Sequence, residues 1–242
     1  DWANPETTEA LASVEVRSDG ARAVFAFHAA RRGVQMEPHG VVALGDVALD
    51  GRAVHGDPTL WLRVGDLALR ASPNAFYQVN LEVNAALVAH VREVVAGFAP
   101  ERILDLYAGI GNLALALAAD GPPVVAVEVE GQATADLRAS AERAGLTDRV
   151  KVITSSVERF DPAREPFDVA VLDPPRAGAP RVLTEVVYNR PRAIIYVACS
   201  AAAAARDCQE AVRAGYRLAA LRCFEMFPET RHIEAVAVLE RQ

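Results

Sequence analysis

The spacing of hydrophobic and polar residues changes near residue 70. Before that point, short apolar or alternating stretches, such as residues 14–17 and 23–27, are separated by turn signals such as Ser-Asp-Gly at 18–20. This arrangement is typical of β-hairpins. Residues 41–49 and 60–69 predict further strands, which Asp50-Gly51 and Gly65-Asp66 interrupt. We expect residues 1–70 to form a small antiparallel β subdomain.

From residue 71 onward, apolar stretches with strand character alternate with helical ones. The predicted strands are residues 102–106, 124–129, 150–154, 168–172, 193–198, 217–224 and 232–239. The predicted helices are residues 79–97, 112–119, 181–188 and 201–214, with one more ending at residue 143. Alternation of this kind is typical of a mostly parallel sheet covered by helices. The sequence therefore predicts a Rossmann-like α/β domain over residues 71–242, with seven strands in its sheet.

Composition narrows the class of protein. The 242 residues are 52% hydrophobic and 24% charged, which is ordinary for a soluble globular chain. No apolar run reaches the length of a membrane span, and no signal peptide opens the chain, although a start at Asp1 leaves a truncated N-terminus open. Cys199, Cys208 and Cys223 form neither a disulfide framework nor a close-spaced metal cluster. We therefore expect a reducing, cytoplasmic location.

The charge of the chain bears on nucleic-acid binding. The formal net charge of −7 is weak evidence against a nucleic-acid partner, although a local basic groove is compatible with it. Lys151 is the only lysine, so nearly all cations are arginines. Arginine suits bidentate contacts with phosphate, but the same usage is typical of a biased genomic base composition.

The first chemical signal is the glycine-containing segment at residues 105–112, where a predicted strand turns into a helix. Gly109 and Gly111 permit a tight turn and close approach of a ligand to the backbone. Glu128 ends the next strand, about 20 residues on, where a carboxylate can bind ribose hydroxyls. The pattern admits a nicotinamide dinucleotide, or a simple structural turn. Asp105 favours S-adenosylmethionine, because a carboxylate there repels a pyrophosphate but suits the cofactor's ammonium and sulfonium groups.

The second signal is Asp-Pro-Pro-Arg at residues 173–176, after the fourth predicted strand of the α/β domain. The prolines stiffen the turn and hold Asp173 at the carboxyl edge of the sheet, where ligands bind in such folds. An aspartate-capped turn without function is the simpler alternative. Methyltransferases that act on exocyclic amines carry a similar motif followed by an aromatic residue, so Arg176 disfavours that class.

The third signal is Cys199, which follows the fifth predicted strand and precedes a helix for which Ser200 is a plausible cap. The N-terminus of a helix lowers the pKa of a thiol, so this position favours a nucleophilic thiolate. The alternative is a small buried hydrophobic side chain, and we assign Cys208 and Cys223 to that class. Glu234, at the start of the last strand and two residues from His232, is a candidate general base or a solvated strand end.

Taken in order, these segments resemble the RNA 5-methyluridine (uracil-C5) methyltransferase family, S-adenosylmethionine-dependent enzymes that modify tRNA and rRNA. The resemblance covers residues 72–239 and implies a class I methyltransferase fold. It makes Cys199 the nucleophile and Glu234 the proton-abstracting base, with Asp173 and Arg176 orienting the pyrimidine. The implied cofactor-binding residues are Gln78, Asp105, Tyr107, Gly109, Gly111, Asn112, Glu128 and Asp173.

The resemblance also implies a mechanism. Cys199 would add to carbon 6 of uracil, carbon 5 would take the methyl group, and Glu234 would then remove the proton from carbon 5. The substrate would be a uridine in an unpaired loop of tRNA or rRNA, and no metal would be needed.

Two departures from the family keep alternatives open. The family usually has Ser-Cys-Asn-Pro around the nucleophile, where this chain has Ala-Cys-Ser-Ala at residues 198–201. The N-terminal RNA-binding barrel and the iron–sulfur cysteines of many relatives are not recognisable in this sequence. The alternatives are a methyltransferase with a different acceptor and a non-catalytic relative that binds RNA or the cofactor.

Overall fold

The N-terminal part of the chain forms two small sheets. In the computed structural model, which describes residues 10–30, 32, 34, 44–227, 229–230 and 233–242, the first sheet has four strands in sequential order. They are β1 (Leu11–Ser18), β2 (Ala23–Ala29), β3 (Asp46–Leu49) and β4 (Arg52–His55). The second sheet is the hairpin of β5 (Leu60–Val64) and β6 (Leu67–Ala71).

Antiparallel hairpins are present as predicted in the pairs β1–β2 and β5–β6, and a further antiparallel pair joins β3 and β4. The strands β2 and β3, however, are parallel neighbours. Parallel neighbours need a long connection, which residues 30–45 supply. Of the strand predicted at residues 41–49, residues 41–43 lie outside the described part of the chain, and β3 begins at Asp46. Strand β4 was not predicted, because its four residues are all exposed and carry no alternating pattern.

A seven-stranded sheet forms the centre of the α/β domain, in the order β12-β13-β11-β10-β7-β8-β9. Strand β13 alone runs in the opposite direction to the other six strands, so the predicted mostly parallel sheet is confirmed. The strands are β7 (Ile103–Leu106), β8 (Val124–Glu128), β9 (Val150–Thr154), β10 (Val169–Leu172), β11 (Ala193–Ala198), β12 (Tyr216–Phe224) and β13 (Glu234–Arg241).

Five α-helices of the described part of the chain pack around the sheet; the first precedes β7, and the other four lie in connections between its strands. They are α1 (Leu81–Gly97), α2 (Ala114–Asp120), α3 (Gly131–Arg143), α4 (Pro180–Tyr188) and α5 (Ala201–Arg213). The predicted elements lie within about two residues of the observed ones, and β9 and β11 match without a shift. The agreement is close because β10 and β11 are buried along their whole length, so their sequences are continuous apolar runs.

Two hydrophobic clusters cover the two faces of the sheet. One joins α1 and the β5–β6 hairpin to the sheet, so residues such as Leu60, Leu62 and Leu69 share a core with Ile103 and Ile195. The other packs α4 and α5 against the opposite face. The hydrophobic core is thus continuous across residue 70, and the division into domains at that point stays a prediction. Within the described residues, no helix is long and apolar enough to span a membrane.

Candidate active site

Four of the predicted site residues lie at the carboxyl edge of the parallel strands. Asp105 is in β7, Glu128 ends β8, Asp173 follows β10 and Cys199 follows β11. The backbone N–H of Asp173 donates to the carbonyl of Leu106 at 3.3 Å, which extends the β10–β7 pairing into the site. The strand order reverses between β7 and β10, and ligands bind in the crevice at such a point.

Glu234 reaches the same edge because β13 is antiparallel. An antiparallel strand begins where its parallel neighbour ends, and the pairing of Ala198 with Ala235 places Glu234 beside Cys199. The Glu234 side chain is buried, and its Oε2 atom has no hydrogen-bond partner among the described residues. The neighbouring His232 lies outside the described residues. Two groups far apart in sequence thus become adjacent through strand register alone.

A cavity of about 530 Å³ opens at this edge of the sheet. Its walls come from the β5–β6 hairpin, the segment before α1, the glycine loop after β7 and the ends of β8, β10, β11 and β13. The predicted site residues that line it are Gln78, Tyr107, Gly109, Asn112, Glu128, Asp173, Arg176, Cys199 and Glu234. The cavity therefore collects the predicted nucleophile, the predicted base and most of the predicted cofactor residues in one place.

The predicted residues Asp105 and Gly111 do not line the cavity. Asp105 is buried within β7, two residues before Tyr107, which does line the cavity. Gly111 has a φ of +94°, and a Cβ atom there would lie 2.8 Å from Leu137 Cγ and 3.0 Å from Leu115 Cδ1. Gly111 is therefore required for packing of the loop against α3 and α2, whereas the prediction gave it a ligand-facing role.

The segment that carries Gln78 is held from two sides. The Arg17 guanidinium donates to the carbonyl of Ser72 at 3.0 Å and to those of Pro73 and Ala75, and it lies 4.7 Å from the centre of the Tyr77 ring. On the other side, the buried Asp136 carboxylate accepts bonds from the backbone N–H and the hydroxyl of Ser72, both at 2.8 Å. These contacts fix the segment before it enters α1.

The glycine loop is ordered by carboxylates. Glu128 Oε2 accepts from the backbone N–H of Gly109 at 3.0 Å, and its Oε1 accepts from the N–H of Glu130 at 2.8 Å. Tyr107 has a φ of +64°, and its hydroxyl donates to Glu158 at 3.1 Å. The loop is therefore shaped by local contacts before any ligand is considered.

Asp105, next to the cavity but not part of its wall, lies in an environment that disfavours its charged form. Neither carboxyl oxygen of Asp105 accepts a hydrogen bond of normal geometry from the described residues. Burial, together with the nearby carboxylates of Asp173 and Glu128, raises the pKa of Asp105 well above its usual range. The free protein therefore favours the protonated, neutral form of Asp105, and a cation placed near the group would favour its ionisation. The site thus favours a positively charged ligand.

Burial also raises the pKa values of the groups that are predicted to act on the substrate. Burial, and then the charge of Glu234, raises the pKa of Asp173 to about 7, and burial raises the pKa of Glu234. The pKa of the Cys199 thiol is likewise raised by burial and by the carboxylates of Glu234 and Asp173. The prediction of a lowered thiol pKa is therefore wrong for the free protein. Ser200 does cap α5 as predicted, by accepting from the N–H of Ala203, but the opposing charge of Arg176 does not outweigh burial and the two carboxylates at Cys199.

The other two cysteines behave differently from each other. Cys208 is buried in α5 as predicted, and burial raises the pKa of its thiol to about 11. Cys223 is exposed, contrary to the prediction, because β12 is the edge strand of the sheet and its central residues face solvent. Within the described part of the chain, no group of His, Cys, Asp and Glu side chains is arranged to hold a metal ion.

Some cavity residues were missed by the reasoning from sequence. Leu62, Val64 and Leu69 of the β5–β6 hairpin form an apolar wall, although their subdomain had shown no motif. Asn84 also lines the cavity and exchanges two side-chain hydrogen bonds with Asn112, at 2.8 and 2.9 Å. A signal for Asn84 was present, because it interrupts the apolar stripe of α1 formed by Leu87, Val91 and their neighbours.

The chain is similar in sequence to known uracil methyltransferases that act on RNA. The family model described as tRNA (uracil-5-)-methyltransferase matches residues 57–242. The 23S rRNA (uracil(1939)-C(5))-methyltransferase RlmD of Shewanella halifaxensis is 38% identical over 176 residues, which cover 71% of this chain and 39% of the relative. The RlmD of Pseudomonas fluorescens is 40% identical over 185 residues, which cover 74% and 40%. The chain thus spans about 40% of the length of these relatives.

Among solved structures, the chain is similar to the tRNA (uracil-54, C5)-methyltransferase of Pyrococcus abyssi, determined in complex with S-adenosyl-L-homocysteine. The TM-score is 0.75 at 25% identity, and the superposition covers 93% of this chain and 58% of that one. The similarity therefore includes most of the N-terminal β region as well as the α/β domain.

Proposed function

The chain belongs to the tRNA (uracil-5-)-methyltransferase family, and we propose that it transfers a methyl group from S-adenosylmethionine to carbon 5 of a uridine in RNA. The observation that carries this proposal is the pairing of β11 with β13, which brings Cys199 and Glu234 together in the cavity. Nucleophile and base must both reach one pyrimidine ring, and this register satisfies that requirement.

The cofactor would lie over the carboxyl ends of β7 and β8. Glu128, already oriented by Gly109 and Glu130, would accept hydrogen bonds from ribose hydroxyls. Gln78, Tyr107, Gly109 and Asn112 line the adjoining wall. Asp105 and the nearby Asp173 are carboxyl groups with raised pKa values, and their ionisation would stabilise a sulfonium and an ammonium group bound beside them. When bound, S-adenosylmethionine supplies an electrophilic methyl group.

Cys199 and Glu234 would perform the chemistry on the base. The Cys199 thiolate would form a bond to carbon 6 of uracil, which places electron density on carbon 5. After carbon 5 has been methylated, Glu234 would remove its proton, and the bond between sulfur and carbon 6 would break to restore the aromatic ring. The pKa of the thiol is raised in the free protein by burial and by Glu234 and Asp173, and a cationic cofactor in the cavity would lower it and so favour the thiolate.

The substrate that fits this arrangement is a uridine in an unpaired segment of tRNA or rRNA. Cys199 lies within the cavity, so a stacked base would have to leave its helix to reach the thiol. Asp173 and the exposed Arg176 line the same cavity. The Asp173 carboxyl group would accept hydrogen bonds from the pyrimidine edge, and the Arg176 guanidinium would donate hydrogen bonds to it. We place the reaction in the cytoplasm, where the thiol stays reduced.

A trapping experiment tests this proposal. The protein is incubated with S-adenosylmethionine and RNA that contains 5-fluorouridine in place of uridine, and is then analysed on a denaturing gel. A general base can remove a proton from carbon 5 but cannot remove fluorine, so the adduct between Cys199 and the fluorouracil should persist. Cys199→Ala should form no adduct, whereas Cys223→Ala, which changes an exposed cysteine outside the cavity, should form it normally.

The outcomes distinguish the candidate functions. An adduct that depends on Cys199 supports both the nucleophile and the reaction class. Methyl transfer that survives Cys199→Ala would instead indicate a different acceptor. Binding of S-adenosylhomocysteine without an adduct or turnover on any RNA would overturn the proposed reaction and favour a non-catalytic relative.

A further inference from the structure

A fully buried carboxylate lies behind the candidate active site, outside the cavity. Asp207, in the second turn of α5 after Cys199, is 0% exposed. Its Oδ2 atom accepts from the hydroxyl of Tyr196 at 2.5 Å and from the backbone N–H of Ala179 at 2.7 Å. Its Oδ1 atom accepts from Nε of Arg206 at 2.8 Å. These hydrogen bonds offset the cost of burying the carboxylate.

The partners of Asp207 belong to two different parts of the site. Tyr196 is in β11, three residues before Cys199, and is fully buried. Ala179 ends the loop at residues 173–179, which begins with Asp173 and carries Arg176. The carboxylate therefore joins the segment that bears the nucleophile to the loop that carries the predicted pyrimidine contacts.

The neighbouring residues strengthen this connection. Nη2 of Arg206 donates to the carbonyl of Ala177 at 2.7 Å, so two consecutive residues of α5 bind the same loop. Gly178 has a φ of +78°, and a Cβ atom there would lie less than 3.0 Å from Oδ2 of Asp207 and from Nη2 of Arg206. The loop backbone is thus packed directly on the Asp207 carboxylate, with no room for a side chain between them.

The loop reaches the reactive centre. Asp173 and Arg176 line the cavity together with Cys199. The charges of Asp173 and Arg176 both act on the pKa of the Cys199 thiol, in opposite directions. Small movements of this loop relative to α5 would therefore change the distances from Asp173 and Arg176 to Cys199. They would also change how strongly the two charges act on the Cys199 thiol.

We propose that Asp207 is a positioning residue. It fixes the loop at residues 173–179 on the β11–α5 segment, and so holds Asp173 and Arg176 at the positions relative to Cys199 that binding of the pyrimidine requires. This inference rests on the proposed function, because these relative positions matter only if a pyrimidine is bound between the three groups. It assigns the main effect of Asp207 to RNA binding and adduct formation and only a small one to the cofactor, because Asp173 is the one predicted cofactor-binding residue on this loop.

Two substitutions perturb the contact from opposite sides. Asp207→Asn keeps the shape of the side chain but replaces one acceptor oxygen by a donor, so that either Arg206 or the Ala179–Tyr196 pair loses its acceptor. Gly178→Ala leaves the carboxylate intact and pushes the loop away with a methyl group. The matched control is Glu210→Gln, an exposed position of α5 whose side chain pairs only locally with Arg213.

The full chain is assayed on unmodified tRNA and rRNA transcripts, with calorimetry for S-adenosylhomocysteine and hydrogen exchange for the Ala179 amide. We expect Asp207→Asn and Gly178→Ala to lower kcat/KM for RNA at least tenfold, mainly through KM, and to slow 5-fluorouridine adduct formation. The dissociation constant of S-adenosylhomocysteine should stay within twofold of the wild-type value. The Ala179 amide should exchange at least tenfold faster in Asp207→Asn, and Glu210→Gln should change nothing.

The other outcomes overturn the inference in recognisable ways. Faster exchange at Ala179 with unchanged kcat/KM in both variants would show that the contact does not position the site. A parallel loss of S-adenosylhomocysteine binding, thermal stability and activity would show a general structural role. An inactive wild-type chain on every RNA would overturn the proposed function, and the inference with it. That result differs from the first two because the variants and the wild type would then be equally inactive.

Discussion

Glu128 Oε2 accepts a hydrogen bond from the backbone N–H of Gly109 at 3.0 Å, so the last residue of β8 holds the glycine loop that follows β7. The same side chain lines the cavity. Because both of its oxygens already accept backbone donors, the carboxylate is oriented before a ribose arrives. Preorganisation of this kind reduces the ordering that binding requires.

Glu128→Ala should therefore weaken the binding of S-adenosylhomocysteine. Loss of a charged acceptor for hydroxyl groups corresponds to about 1.5–3 kcal/mol, or roughly 10- to 150-fold in the dissociation constant. Isothermal titration calorimetry measures this directly. Glu142→Ala, which removes an exposed carboxylate from α3, serves as the control and should bind normally. An unchanged constant for Glu128→Ala would place the ribose elsewhere.

The reactivity of Cys199 should depend on pH and on Glu234. Because the pKa of the thiol is raised, alkylation of Cys199 by iodoacetamide should be slow at pH 7 and accelerate as the pH increases. Glu234→Gln removes a negative charge beside the thiol, so it should lower the thiol pKa and speed alkylation at neutral pH. Peptide mass spectrometry measures the rates, with the exposed Cys223 as an internal reference. Equal rates in wild type and Glu234→Gln would contradict the assigned electrostatics.

Strand positions were predictable here because they depend on local composition, whereas the chemistry at the strand ends was only partly so. The buried apolar runs of β10 and β11 define those strands and place Asp173 and Cys199 at one edge. The direction of the thiol pKa shift was predicted wrongly because the helix N-terminus can be read from the local sequence, whereas burial of the thiol and the charges of Glu234 and Asp173 depend on the tertiary fold. Asp207 was missed for the same reason, since its partners Tyr196 and Ala179 depend on how α5 packs.

Glu234→Gln should also separate the two halves of the reaction. If Glu234 removes the proton from carbon 5, its amide variant should still form the cysteine adduct and accept the methyl group, but should release product about 10²- to 10⁴-fold more slowly. A covalent complex with ordinary uridine RNA should then accumulate on a denaturing gel in the presence of S-adenosylmethionine. Release at the wild-type rate would assign the proton to another group.

Asp173 should make the stability of the free protein depend on pH. Its pKa is raised from 3.8 to about 7, so the folded state holds a proton that the unfolded state releases. The associated stability is present at acidic pH and is lost as the pH rises through about 7. Asp173→Asn removes this dependence and should stabilise the unliganded protein by about 1–2 kcal/mol at pH 8, with little effect at pH 4. Urea unfolding at the two pH values measures the difference, and an equal effect at both would refute the assignment.

The two glycines of the loop should respond differently to alanine. Both have a positive φ, +54° at Gly109 and +94° at Gly111, so each substitution introduces backbone strain of about 1–2 kcal/mol. A Cβ at Gly109 meets no atom within 4 Å and projects from a residue that lines the cavity, whereas one at Gly111 meets Leu137 and Leu115. Gly111→Ala should therefore add an overpacking penalty of about 1–3 kcal/mol to the free energy of unfolding.

Urea unfolding and calorimetry with S-adenosylhomocysteine together separate these roles. Gly109→Ala should lose more cofactor affinity than its modest loss of stability explains, because the new methyl group lies beside the wall that the ligand uses. Gly111→Ala should be the less stable of the two, and its affinity should fall only as far as the loop is displaced. If Gly109→Ala proved the less stable variant and bound the cofactor normally, the assignment of Gly109 to ligand approach and Gly111 to packing would have to be reversed.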